Sequence, residues 1–351
     1  MIDRVPISFP LDSHSVMLAN LRSPTHSSKV KIAIKAILTV LVLAFVARHV
    51  AGTWRDLARR GETVRIDPAW VALAVLFYLS GLVAYGVYFW RVMKASSTPT
   101  ALWPAIRAYL ISHLGKYVPG KAMVVVMRAG LVVPFGARPA TAAFATLYET
   151  LVMMAAGGLV AALGFAIGSG PRIRLPIPIS GGIEIAAPLA LLGLAPGLGF
   201  LVMVWPSIFP RLAGLARVPL PGVGPDALPR FSTGLLLEGV AWSTLGWILL
   251  GLSQVAVIRA LMPEGLPVSE WSLAIASVAL ATVAGFVVPI APGGLGVREW
   301  VLWTALGSAL DRDLAVVAAL TLRLAWVIGE VLAAAALLAI RPTSSTRPSP
   351  P

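Results

Sequence analysis

Residues 140–167 run without interruption through apolar and small side chains, with Glu149 as the one charge among them. At about 1.5 Å of rise per residue, a helix of that length crosses a hydrocarbon layer about 30 Å thick. Comparable runs recur at 32–50, 70–90, 186–205, 235–261 and 314–340. They are helical in length, and none alternates in the short segments that build an outer-membrane barrel. Composition agrees, because 58% hydrophobic and 12% charged residues with a mean hydropathy of +0.86 exclude a soluble domain. The expected fold class is all-α, a polytopic membrane helix bundle of about six full spans plus two re-entrant Pro/Gly hairpins, about eight segments by hydropathy.

The hairpins are predicted where the apolar pattern breaks. Residues 289–299 place Pro289, Pro292, Gly293, Gly294 and Gly296 beside the charged neighbours Arg298 and Glu299. Pro and Gly interrupt a helix, and an interrupted backbone at membrane depth needs protein or water around it. An earlier stretch, Gly115-Lys116-Tyr117-Val118-Pro119-Gly120-Lys121, repeats the feature and is followed by Arg128. Its flanking arms, 104–113 and 122–133, are each too short to cross. The second hairpin is read over 271–310.

These breaks organise the chain as an inverted internal repeat, with halves at about 104–167 and 271–340. Three full spans separate the hairpins, an odd number, so they enter from opposite faces. The register agrees: Glu149 lies 30 residues after Pro119, and Arg323 lies 31 after Pro292. Inverted repeats with broken helices meeting near the midplane are a recurrent transporter architecture. The membrane domain is expected over 29–340, between a disordered cytoplasmic tail at 1–28 and a second tail at 341–351.

The net charge of +13, from 28 Lys and Arg against 15 Asp and Glu, points to anionic lipid rather than nucleic acid, because the basic residues sit in tails, loops and span ends. Positive-inside bias places the amino terminus in the cytoplasm, with the loop holding Arg55, Arg59, Arg60 and Arg65 as an exception. No cysteine is present, so there is no thiolate nucleophile and no disulfide framework. No His pair at metal-binding spacing and no phosphate-loop or dinucleotide signature occurs, so neither metal, cofactor nor ATP-driven pumping is expected.

The two broken stretches together resemble the signature pair of the flippase-like transmembrane family, which includes the membrane region of lysylphosphatidylglycerol synthases. The resemblance covers residues 31–340. It implies a multi-pass protein of a bacterial or archaeal inner membrane that moves an amphiphilic lipid between leaflets or assists lipid or glycolipid biosynthesis. The bifunctional synthases carry a soluble aminoacyl-transferase domain after the membrane part, whereas this sequence stops at Pro351, so lipid aminoacylation is not expected of it.

The expected function is translocation of a lipid or lipid-linked glycan. Half-helices starting at Gly120 or Gly293 would offer free N–H groups and a positive dipole end to an anionic headgroup, either of an anionic phospholipid or of a polyprenyl or glycolipid. Lys116, Lys121 and Arg128 would add full charges, although both lysines have a plainer role in snorkelling to the interface. Tyr117 is placed beside them, with Tyr148 as a further wall residue. Arg323 and Glu330, about two helical turns apart, share a face that should point inward. Glu149 and Arg323, at matching repeat positions, are expected either to pair or to lie across one hydrated cavity. The alternatives are a non-transporting accessory subunit working with a glycosyltransferase or other lipid-biosynthesis enzyme, and a membrane-embedded headgroup transferase; the chain itself is not expected to be an enzyme. Small-residue helix faces allow a homodimer.

Overall fold

A computed structural model describes residues 66–96, 98, 100–117, 122–167, 172–176, 184–215, 228–288 and 296–340. The expected first span at 32–50, the arginine-rich loop after it and both tails lie outside the described residues. So do Pro119, Gly120 and Lys121 at the first hairpin tip, and Pro292, Gly293 and Gly294 at the second.

The helices begin and end where the sequence supplies caps. Helix α1 (Pro68–Lys94) starts on Asp67, whose carboxylate accepts the Ala69 N–H at 2.9 Å, and carries proline at its first position. It closes with Arg91 and Lys94 against its free carbonyls. The first hairpin follows: α2 (Leu102–Ser112), a 3₁₀ turn at His113–Tyr117, then α3 (Ala122–Val132). Each α-helical arm has 11 residues, about 16 Å of rise, so neither crosses the bilayer. Helix α4 (Pro139–Ile167) is a full-length span.

Next comes a two-stranded antiparallel ribbon, β1 (Arg172–Pro176) with β2 (Glu184–Pro188), and then α5 (Leu189–Met203). The sequence predicts a full span over 186–205. The strand takes the first residues of that run, and α5 keeps 15, shorter than a bilayer crossing. A short helix, α6 (Phe209–Leu215), follows. Helix α7 (Thr233–Leu261) is capped by Ser232, whose hydroxyl accepts the Leu235 N–H. The second broken region comprises α8 (Trp271–Val287) and α9 (Val297–Leu306), and α10 (Arg312–Ala339) ends the bundle.

Five helices among the described residues are long and apolar enough to cross a membrane: α1, α4, α7, α10 and, with its 3₁₀ lead-in, Val268–Val287. The sequence reading treats that fifth segment as an arm of a re-entrant hairpin. The turn Val268–Glu270 lengthens it to 20 residues, while its partner α9 has only 10.

Helices α1 and α7 form the central pair and run antiparallel, with Asp67 N–H bonded to Ala260 carbonyl at one end and Tyr88 seated on Gly239 toward the other. Tyr85 sits on Gly246 between them. Outer spans seat glycines on this pair. Gly157 of α4 lies against Trp247 of α7, and Gly329 of α10 lies against Val75 and Leu79 of α1. Each member of the central pair thus receives a glycine of an outer span.

Candidate functional site

Three ion pairs hold the broken arms to the spans. Arg128, on the inward face of α3, reaches Glu149 of α4 at 2.9 Å, and both side chains are almost fully buried. The guanidinium also donates to Ser112 Oγ at 3.0 Å and stacks 3.9 Å from the Tyr109 ring, whose hydroxyl donates to Glu149 at 3.1 Å. A buried charge pair needs such additional hydrogen bonds to offset its desolvation.

The second half makes the corresponding tie with the charges exchanged. Glu299 of α9 accepts from Arg323 of α10 at 2.5 Å, so the arm carries the carboxylate and the span carries the guanidinium. Its other oxygen accepts the Gly296 N–H at 2.7 Å, and Gly296 adopts φ +84, a conformation that suits glycine. Glu299 therefore occupies the N-terminus of α9 that the sequence reading offers to a phosphate. That helix begins at Val297 rather than at Gly293.

The expected alternative of Glu149 pairing with Arg323 does not occur; each binds within its own half instead. Matching positions in an inverted repeat are related by symmetry, which does not bring them into contact. What joins the halves is the third pair. Lys116, at the first hairpin turn, lies 2.5 Å from Glu330 of α10. Tyr78 of α1 hydrogen-bonds the same Glu330 oxygen, and His113 Nε2 stands 3.8 Å away. Tyr78 stacks on Trp326 at 4.3 Å between centroids, and Trp326 donates to Ser253 Oγ of α7 at 2.9 Å. Arg323 and Glu330 both face inward, as their spacing predicts.

Of these groups, Tyr78, Tyr109, His113, Lys116, Arg128 and Trp326 border a cavity of about 300 Å³ lined from both broken regions. Lys116, Arg128 and Arg298 line it, and the rest of its wall is largely aliphatic and aromatic. Leu147 of α4 belongs to that wall and is 42% exposed. A second space of about 20 Å³, room for roughly one water, adjoins Tyr117, Arg298 and Arg323. Lys116, Arg298 and Trp326 border both spaces and so form the partition between them. Tyr148 is elsewhere, packed among Phe209 and Phe231.

Sequence reasoning passes over Tyr78, Tyr85, Tyr109, Trp247, Trp326 and His113, all of which line the cavity. Aromatic residues inside apolar runs carry no sign of whether they face lipid or a cavity. The one available signal is Trp326, a single turn before Glu330 and on the same face.

The sequence profile of the lysylphosphatidylglycerol synthase TM region matches residues 32–334. The chain belongs to this family. The match covers both hairpins and all three ion pairs, so the lysylphosphatidylglycerol synthase TM region is in this chain a lipid-related membrane bundle built around a charged internal cavity. No curated protein matches the chain.

The Lys116–Glu330 tie is open to a direct test. Lys116→Ala leaves the Glu330 carboxylate with Tyr78 as its hydrogen-bond donor and one oxygen already without a partner. Expected is a loss of about 1–3 kcal/mol in stability, largely recovered in Lys116→Ala/Glu330→Gln, because the neutral amide removes the uncompensated charge. Thermal unfolding of the two variants in detergent measures the difference. Equal melting temperatures would refute the tie.

Proposed function

We propose that this protein translocates a lipid or lipid-linked glycan across a bacterial or archaeal inner membrane, with its amino terminus in the cytoplasm. The observation that carries the reading is the cavity itself: cations at Lys116, Arg128 and Arg298 in a largely aliphatic and aromatic wall that includes the exposed Leu147. An amphiphile needs that combination, because its headgroup must leave water for a polar interior while its chains stay in hydrocarbon. Anionic headgroups are favoured by the sign of the lining charge, through charge-assisted hydrogen bonds.

On this reading the chain binds and moves lipid without covalent chemistry. The carboxylates nearest the cavity are engaged as counter-ions, Glu149 with Arg128 and Glu330 with Lys116. Because Lys116 and Arg298 border both spaces, movement of the partition they form with Trp326 would pass a headgroup from one to the other.

The test is reconstitution in liposomes containing headgroup-labelled lipids, following the fraction of label reached by an impermeant quencher. Exchange by wild type that falls at least about tenfold in Arg298→Ala/Glu299→Ala is the expected result, since the double variant removes the partition's guanidinium and the clamp on α9. Absence of exchange for every lipid would overturn translocation and favour an accessory role beside a lipid-biosynthesis enzyme.

A further inference from the structure

The three carboxylates that tie the arms to the spans are not held alike. Glu149 has both oxygens occupied, one by Arg128 and Thr150 and the other by the Tyr109 hydroxyl. Glu299 has both occupied as well, by Arg323 and by the Gly296 N–H. In each case the counter-ion is a guanidinium, which does not give up its proton in a protein. Glu330 differs on both counts. Its partner is an ammonium, a point charge on a flexible stem, and its Oε2 is buried without a hydrogen-bond partner among the described residues.

Donors and acceptors around Glu330 form a chain. Lys116 Nζ donates to Glu330 Oε1 at 2.5 Å and to the Tyr78 hydroxyl at 3.3 Å, and that hydroxyl donates to the same Oε1. A phenol both donates and accepts, so Tyr78 can reverse its bond to Glu330. Once the ammonium leaves for another anion, the hydroxyl is free to accept from a protonated carboxyl. A route for the proton is also present. The Glu330 side chain is 0% exposed, whereas His113, 3.8 Å away, is 18% exposed, lines the cavity and stacks on Tyr109. Imidazole is suited to relay a proton between the two.

The elements packed against this part of α10 turn several charged or titratable groups toward Glu330. They are Tyr78 from α1, His113, Lys116 and Tyr117 from the first hairpin turn, and Arg298 from α9, with Arg323 on α10 itself. Helix α7 contributes the neutral Ser253 hydroxyl, held by Trp326, and Arg107 of α2 is bonded farther along to the Leu337 carbonyl. None of these is a second carboxylate, so Glu330 is the acid on which a proton can settle.

Charge balance supplies the coupling. Paired, Lys116 and Glu330 sum to zero. An anion that takes the ammonium leaves a buried carboxylate with Tyr78 as its donor and one empty oxygen. A buried charge in that state is far costlier than its neutral acid. Resting on the translocation reading above and extending it to the energy source, we infer that Glu330 is a proton-binding site and that the protein moves one proton with each anionic headgroup. The proton comes from water in the cavity and forms the O–H bond of the Glu330 carboxyl, while the ammonium and the anion cancel. On release of the anion, Lys116 closes on Glu330 again and the proton returns to water. For a headgroup of one negative charge the step is electroneutral, so a pH difference drives it and membrane potential does not.

Calorimetric titration of the purified full-length chain in neutral detergent with dihexyl phosphate tests this, because the probe's single charge does not titrate near neutrality. Repeating the titration in buffers of different ionisation enthalpy counts the protons exchanged. Wild type is expected to take up about one proton per anion. Its affinity should therefore rise about tenfold for each unit by which pH falls, over the range where the free protein holds the carboxylate and the complex holds the acid. Glu330→Gln, first matched with wild type by size exclusion and helical content, should bind with no proton uptake and a flat pH profile. Should that variant not fold, the wild-type proton count and slope decide alone. Binding by wild type without proton uptake would overturn the inference and leave lipid handling intact. So would a proton count that persists in Glu330→Gln, which would place the proton on His113 or Lys116. Absence of binding at every pH would overturn the headgroup reading together with the inference.

Discussion

Glu149→Ala is expected to cost the folded bundle about 3–5 kcal/mol, because it strands the Arg128 guanidinium in a site where that side chain is only 2% exposed. The remaining neighbours, Ser112 Oγ and the rings of Tyr109 and Phe89, cannot neutralise a full charge. Replacing both members, as in Arg128→Met/Glu149→Leu, is expected to recover most of the loss, since two apolar side chains avoid the desolvation that the pair must offset. Retention of monodisperse protein after graded heating in detergent separates the variants. A single variant as heat-resistant as wild type would mean that water reaches the pair. The double variant also separates two roles: it keeps the fold while removing one cavity cation, so any accompanying loss of lipid exchange reports on Arg128 in the site.

The second large effect is expected where no charge is involved. A Cβ placed on Gly158 of α4 would fall 2.5 Å from Gly197 Cα and 2.7 Å from the Gly193 carbonyl oxygen of α5. Backbone atoms cannot swing aside as a flexible side chain can, so α5 must withdraw. Gly158→Val is expected to destabilise by about 3 kcal/mol, the upper end of overpacking costs. Gly199→Ala, also in α5, meets nothing within 4 Å and is expected to be neutral or slightly stabilising through helix propensity. Unfolding of both variants side by side distinguishes close packing from a general intolerance of change in α5. Equal stability of Gly158→Val and wild type would show that α5 does not bear on α4 as described.

Hydropathy made the spans legible, because length and apolar content report directly on a bilayer crossing. The inward direction of Arg323 and Glu330 was legible for a related reason: a charge in a span has few tolerable directions, and their spacing fixes a common one. The partners of those charges were not legible. Glu149 was assigned toward Arg323 by repeat position, yet it meets Arg128 on the adjacent arm, and this depends on how α3 folds back onto α4. Nor does sequence separate Tyr78 and Trp326, which form the floor beneath Lys116 and Arg298, from aromatics that face lipid. The length of α5 was misjudged because apolar residues at 186–188 belong equally well to a strand, and pairing with Arg172–Arg174 decides the matter.

Gly158 and Glu330 each follow a glycine on which a span is seated, Gly157 against Trp247 and Gly329 against Val75. One is a bare seat for a neighbouring helix, and the other is a carboxylate grasping Lys116 of the opposite half. On the translocation reading proposed above, an anionic headgroup arriving at Lys116 would compete with Glu330 for the same ammonium, while nothing on a substrate would compete with one glycine backbone lying against another. The bundle thus has a latch on one flank and a fixed seat on the other. Its two faces are expected to open with unequal ease, and the cargo itself would be the key to the latched side.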